Sequence, residues 1–483
     1  MSENDWERML RAVFGDEAAE RIIASMKEQG IDPEAALPAG FNPAQMPLII
    51  NQMRTMLGSA GDGPVNWQVG EQVARQQVVQ QGSTTVSGET GQEVRAALQT
   101  ASLWLDPVTE ISPVTGPVQA WSRLDWVAHS LPTFRKLTDP VGANIGRAFS
   151  EAMTHQLEEA PEELRSLLGA DPARMLSGVT ASLLGVQYGA GLAGLADVTF
   201  GTSDAGLPLV EGETAALVPS NVAAWGEGLD VEEGEVLLYA ATREQAAARL
   251  YSTVPWLRPS VLDSVAGYAA DITIDTSAIE DQVRSMNLDP SALAQGEVPE
   301  IDLSEVFSPE PTEEQQRTLR RLEHMISMVE GWVTAISAQA VAAHLPHAVP
   351  LAEMFTRRSV TDAPATRVFG PLVGFELAPK SVRAATAFWN EATRRLGAAG
   401  RDALWRHPDL LPQPEQLESP ESFFTKPEPT ELDQELDSFL DELLSGNGEN
   451  DAPHEPGFGE AGDDKPDGEA DGADNQPDGA GDR

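Results

Sequence analysis

The stretch Asp230–Arg258 reads DVEEGEVLLYAATREQAAARLYSTVPWLR. Within it Val236, Leu237, Ala240, Ala247, Leu250 and Tyr251 recur at helical spacing, Asp230 and Glu233 form an Asp-x-x-Glu start, and Pro255 ends the run. The spacing predicts a helix of about five turns. Arg243 and Glu244 sit in its middle. Taken alone, Glu244 reads as a helix carboxylate paired with Arg243 or another nearby cation, or as a buried one satisfied by hydrogen bonds.

Outward from this helix, Val65 to about Leu411 is mostly helical in pattern, rich in Ala, and punctuated at Asp139-Pro140, Pro161, Asp289-Pro290 and Pro309–Pro311. Two capping boxes, Ser277 with Glu280 and Thr312 with Gln315, mark helix starts by placing oxygens on orphan amides. The second opens a helix from about Glu313 to Ala343, amphipathic through Leu319, Leu322, Met325, Ile326, Val329, Trp332 and Ile336, with Glu330 beside the apolar stripe. Thr180 to Phe200 is rich in Gly and Ala and contains Asp197, which reads as a closely packed core helix and not a bilayer span. Extended stretches are expected near Asp197–Phe200, Ala215–Pro219 and Ile272–Ile274, where β-branched residues gather. The expected fold class is mainly α, a multi-helix core with minor β.

The ends differ from this core. Residues 1–60 form a weak helical segment, joined through GSAGDGP at Gly58–Pro64 to a core over 64–411. Residues 412–483 are acid-rich and poor in apolar side chains, so they are expected to be largely disordered, with a short amphipathic helix at 430–444. Its Leu432, Leu436, Phe439, Leu440 and Leu443 could dock in a groove of a protein partner or fold back on the core.

With 76 Asp and Glu against 32 Lys and Arg, the 483-residue chain carries a formal charge of −44. Phosphate binding depends on Lys and Arg, so nucleic acid and anionic membrane surfaces are not expected partners. The absence of Cys excludes disulfides, thiolate nucleophiles and Cys-liganded zinc. The acidic N-terminus, MSENDWERML, is unlike a secretory signal, and a cytoplasmic protein is expected. No Gly-x-Ser-x-Gly elbow or phosphate loop is present, and the Gly-x-Gly-x-x-Gly at Gly189–Gly194 lies inside the apolar segment, where helix packing explains it.

Several blocks in order resemble the zincin-like metallopeptidase type 2 family, cytoplasmic proteins of actinobacteria named as hydrolases. They are PVNW at Pro64–Trp67, FRKLTDP at Phe134–Pro140, DAGLPL, VPSNVAAWGEGLD ending at Asp230, ARLYSTVPWLRP, ITIDTSAIE, VEGWV at Val329–Val333 and RDALWRHPDLLP at Arg401–Pro412. The resemblance implies a zincin-like helical core and a zinc-dependent hydrolase. An active zincin uses His-Glu-x-x-His on one helix: the i, i+4 imidazoles share a face and hold one zinc, and the Glu takes a proton from the metal-bound water.

Aligned on the PWL block, the five positions here are Arg243, Glu244, Gln245, Ala246 and Ala247. Both ligand positions lack an imidazole. Ala has no donor atom, and Arg is permanently cationic. Glu244 stands at the general-base position, and the family's third ligand maps to Glu330. No bound metal is expected, and the chain reads as a degenerate pseudo-enzyme with a binding or scaffolding role. The alternative is an active zinc-dependent hydrolase with a non-standard site around Glu244 and Glu330. A guanidinium at position 243 could pair with Glu330 in place of the metal charge, or Glu330 could be solvated or bonded elsewhere. Among the seven His only His344 and His347 lie close, and Pro346 between them spoils helical geometry.

Overall fold

A computed structural model of the chain describes residues 63–82, 85–159, 172–204, 206–272, 311–361, 377–425 and 436–441, with isolated positions at 274–275, 277–279, 281, 307, 364, 372 and 374. The fold is mainly α. The described elements in chain order are α1 (Trp67–Gln80), α2 (Gly88–Leu105), β1 (Val118–Ala120), α3 (Arg123–Glu159), α4 (Pro172–Val198), β2 (Ala215–Leu217), α5 (Pro219–Gly226), α6 (Glu233–Thr253), α7 (Leu257–Ala270), α8 (Glu313–Val341), α9 (Ala348–Thr361), α10 (Val382–Ala403), α11 (Pro414–Glu418) and α12 (Pro420–Phe424).

The stretch read first becomes α6, at the centre of the fold. Its residues from Tyr239 to Leu250 are all buried, enclosed by α2, α5, α8 and β2. The amphipathic expectation is therefore exceeded: polar side chains that look like a solvent face are buried too. Arg243, Glu244, Gln245 and Arg249 each have hydrogen-bond partners, which is what lets a helix bury charge. The helix starts at Glu233 after Glu232, and no side chain caps it. Acids in its first turn, Glu233 and Glu235, suit the positive end of the helix dipole.

The capping box of Thr312 and Gln315 forms as expected. At Ser277 the acceptor is instead Asp275, whose carboxylate takes the amides of Ser277 and Ala278, and Glu280 lies outside the described residues. The punctuation expected at Asp139-Pro140 is also overridden. Helix α3 runs through Pro132 and Pro140, because burial of Phe134, Leu137, Val141 and Ile145 outweighs the lost backbone bonds.

Helix α4 carries the apolar segment from Thr180 to Val198, and its packing explains its glycines. A Cβ on Gly185 would lie 2.4 Å from the Asn66 carbonyl oxygen, and one on Gly189 would lie 2.3 Å from that of Gly70, so α1 and α4 touch backbone to backbone. Among the described residues Ser177–Val198 is the one span long and apolar enough to cross a membrane, and 61% of its most apolar window is buried inside the protein.

Strand β2 pairs in parallel with β1, Val118 opposite Ala215 and Ala120 opposite Leu217, while Leu217 also bridges antiparallel to Gly201. β2 lies within the expected extended stretch; β1 had no signal beyond three residues. The small sheet and the Phe200–Asp204 segment lie along α6, so backbone amides reach its Glu244.

The compact unit runs to Phe424, past the expected core edge at 411. Its last two helices contribute a buried Leu417 and the rings of Phe423 and Phe424 against Phe388. Apolar side chains in 412–424 thus belong to the core despite the acidic composition around them. A second unit covers Thr425–Arg483. Within it residues 436–441 are helical, and Leu436, Phe439 and Leu440 are exposed, while Leu432 and Leu443 lie outside the described residues, as do residues 1–60.

Candidate functional site

Three chain segments bring the predicted positions together. Helix α6 supplies Arg243, Glu244 and Ala247, helix α8 supplies Glu330, and the turn after α4 supplies Gly201 and Asp204. All of them line one small hollow. A second small hollow shares Asp204, Arg243, Glu330 and Phe355 with it and extends to Arg358 and Leu377.

Arg243 and Glu330 touch. The guanidinium donates from Nη2 to Glu330 Oε2 at 2.6 Å and from Nη1 to Thr334 Oγ1 at 2.9 Å. The charged pair has side-chain exposures of 10% and 16%, so it forms part of the hollow's wall rather than a solvated surface contact. The guanidinium carbon also lies 5.6 Å from the centre of the Phe355 ring, within cation–π range.

Glu244 turns toward the sheet. Its Oε1 accepts from Thr202 Oγ1 at 2.6 Å and from the amides of Thr202 and Ala216 at 3.1 Å each. No cation donates to it among these contacts. Burial pushes its pKa up to about 7, and the charge of Asp204 adds to the rise, against the opposing pull of the Thr202 and Ala216 donors. Gly201 is required beside it, since a Cβ there would come within 2.1 Å of Glu244 Oε2.

Facing this pair across the hollow is a second clamp that spacing did not reveal. Arg358 of α9 binds Asp204 through two parallel contacts of 2.8 Å, donates to the Val198 carbonyl at 2.8 Å, and stacks 3.7 Å from the Phe200 ring centre. Asp204 in turn accepts from the Phe200 amide at 2.8 Å. These contacts fix the loop that holds Glu244. Phe200, Thr202, Asp204, Thr334, Phe355 and Arg358 were not singled out from sequence; the only signal was that Asp204 opens the DAGLPL block.

The sequence matches the model of a zincin-like metallopeptidase family over residues 65–424. The chain belongs to that family. Among solved structures it is similar to a protein from Chloroflexus aurantiacus titled a proposed hydrolase with a novel fold, at 16% identity and a TM-score of 0.49, covering 74% of this chain and 97% of the other. No curated protein matches.

Zincins use zinc, and the donor set here does not fit it. At 243 and 247, the positions that the resemblance assigns to imidazoles, the chain has a guanidinium and a methyl group, and the guanidinium already bonds Glu330, which the resemblance assigns as third ligand. Three of the described histidines are engaged elsewhere. His344 stacks on Trp104 at 4.4 Å, His347 bonds Glu235 at 3.0 Å, and His324 bonds the Pro412 carbonyl at 2.9 Å. Burial lowers the pKa of His324, which keeps its ring neutral at that contact. Among the described residues no group of three His, Asp or Glu side chains is placed to hold a metal ion.

Proposed function

We propose that this chain is a catalytically degenerate zincin relative, a cytoplasmic pseudo-enzyme whose helical core serves binding or scaffolding. The observation that carries this reading is the 2.6 Å contact between Arg243 and Glu330, a cation and a carboxylate paired where the family would place a ligand set. The zinc route to a strong nucleophile, a metal-bound water of lowered pKa, needs donor atoms that the side chains at 243 and 247 do not supply. Glu244 is, moreover, tied to Thr202 and Ala216 as a cross-link between helix and sheet. In the acidic C-terminal unit, the exposed Leu436, Phe439 and Leu440 offer one apolar helix face for a protein partner.

A second reading, a hydrolase using Glu244 and Glu330 in a non-standard site, is favoured by one observation: Glu244 is a buried carboxyl tuned to about pH 7 on the wall of a hollow. Metal content of the protein purified without chelators, together with hydrolysis of a peptide library, separates the two. The degenerate reading expects well under one zinc per chain and no cleavage that Glu244→Gln abolishes. Near-stoichiometric zinc that disappears in Glu330→Ala would establish the hydrolase instead.

A further inference from the structure

The family's ligand positions in this chain are joined to each other by a side chain. From α6, Arg243 reaches two residues of α8 that lie one turn apart, Glu330 at 2.6 Å and Thr334 at 2.9 Å. A guanidinium is planar and directional, so two anchors on the same helix fix the separation of α6 and α8 as well as their attraction. A divalent ion would span the same gap differently, with a shorter imidazole followed by bonds of about 2.0 to 2.2 Å to nitrogen and to oxygen. Here a longer side chain and one short hydrogen bond cover the distance. The remaining position, Ala247, lies one turn after Arg243 and lines the same hollow, and Glu330 keeps its place on the opposite helix.

We infer that Arg243 is a resident cation: its guanidinium does between α6 and α8 the structural work a divalent ion would do, the fold needs no metal, and only the side chains at 243 and 247 separate this hollow from a metal site. The inference rests on the reading of the chain as a degenerate zincin relative, and its test uses readouts other than activity.

The full-length wild-type protein should unfold at the same temperature with zinc, with chelator, or with neither; a zinc-dependent rise of several degrees would overturn the inference. Arg243→Ala should lower the thermal midpoint by about 2 to 4 °C, and Arg243→Lys by less. Adding Glu330→Ala to Arg243→Ala should cost nothing further, because the carboxylate has already lost its partner; two losses that add in full would refute the clamp. The joint variant Arg243→His with Ala247→His should take up one cobalt(II) with the visible absorption of a tetrahedral site, and Glu330→Ala in that background should remove it. A folded joint variant, checked by circular dichroism, that binds no metal would show that more than two side chains have been lost. Chelator-insensitive peptide hydrolysis by the wild type would sink the degenerate reading while supporting a metal-free clamp.

Discussion

The two Arg–carboxylate pairs Arg401–Asp402 and Arg243–Glu330 share their chemistry and differ in their surroundings. Arg401 and Asp402 are sealed, with side-chain exposures of 0% and 3%, against 10% and 16% for Arg243 and Glu330. Around the sealed pair the polar atoms are densely matched. Arg401 reaches Thr393 and the Val108 carbonyl, while Asp402 accepts from Thr109, the Glu110 amide and the Trp332 indole. That arrangement ties α10 to α8 and to the turn after α2. The other pair borders a hollow that solvent can enter, so its groups have an alternative partner if one is removed. Burial of charge by itself thus does not separate a structural knot from a site; an adjoining space does.

The largest expected effect follows from removing the sealed carboxylate. Asp402→Ala strands the Arg401 guanidinium and the Thr109 and Trp332 donors without water, and should cost about 3 to 5 kcal/mol in chemical denaturation. Glu330→Ala should cost less, about 1 to 3 kcal/mol, because water can reach Arg243 from the hollow. Equal losses for the two variants would break the comparison.

Glu244 sharpens it as a third case, a buried carboxyl with donors but no cation of its own. Its folded pKa of about 7 lies above the unfolded value near 4.5. Between those values the folded chain binds more protons than the unfolded one, so this group makes stability fall as pH rises through that window. The total is about 3 kcal/mol at most, from the size of the shift. Glu244→Gln keeps an acceptor for Thr202 and Ala216 and carries no charge. The variant should therefore match the wild type near pH 4.5 and gain on it up to pH 8. Parallel stability curves across this range would mean that Glu244 stays charged in the fold.

The central helices were legible because their signals are local. Pro255 and the apolar period delimit α6, and Thr312 with Gln315 delimits α8. The Arg243–Glu330 contact was one of two readings left open, Glu330 solvated or bonded elsewhere being the other; it could be raised because the family pattern names both positions, although they lie 87 residues apart. What stayed hidden depends on distant partners. Arg249 looks like a residue of a solvent face, yet it is buried because Ser102 and Asp106 meet it from α2 and the turn that follows. The Asp204–Arg358 clamp joins residues 154 apart, and no spacing rule connects them. Proline in α3 and the apolar residues of 412–424 were misjudged for a related reason: local propensity and composition were outweighed by packing that only the folded chain supplies.

The smallest expected effects test the difference between the two pairs most directly, because they remove one hydroxyl from each and leave all charges in place. Thr109 donates from Oγ1 to Asp402 at 2.7 Å in the sealed network, and Thr334 accepts from Arg243 at 2.9 Å on the buried side of the hollow's wall. Valine has nearly the shape of threonine, so Thr109→Val and Thr334→Val change hydrogen bonding with little change in packing. In the sealed network nothing replaces the lost donor to Asp402, and about 2 kcal/mol should be lost, in the range for a hydrogen bond to a charged group. Arg243 keeps its bond to Glu330 and itself lines the hollow, so a small shift of the guanidinium brings the freed N–H to water, and the loss should be about 1 kcal/mol or less. If Thr334→Val proves the costlier of the two, the hollow's wall is as dry as the core, and the open character of the Arg243–Glu330 pair has to be given up.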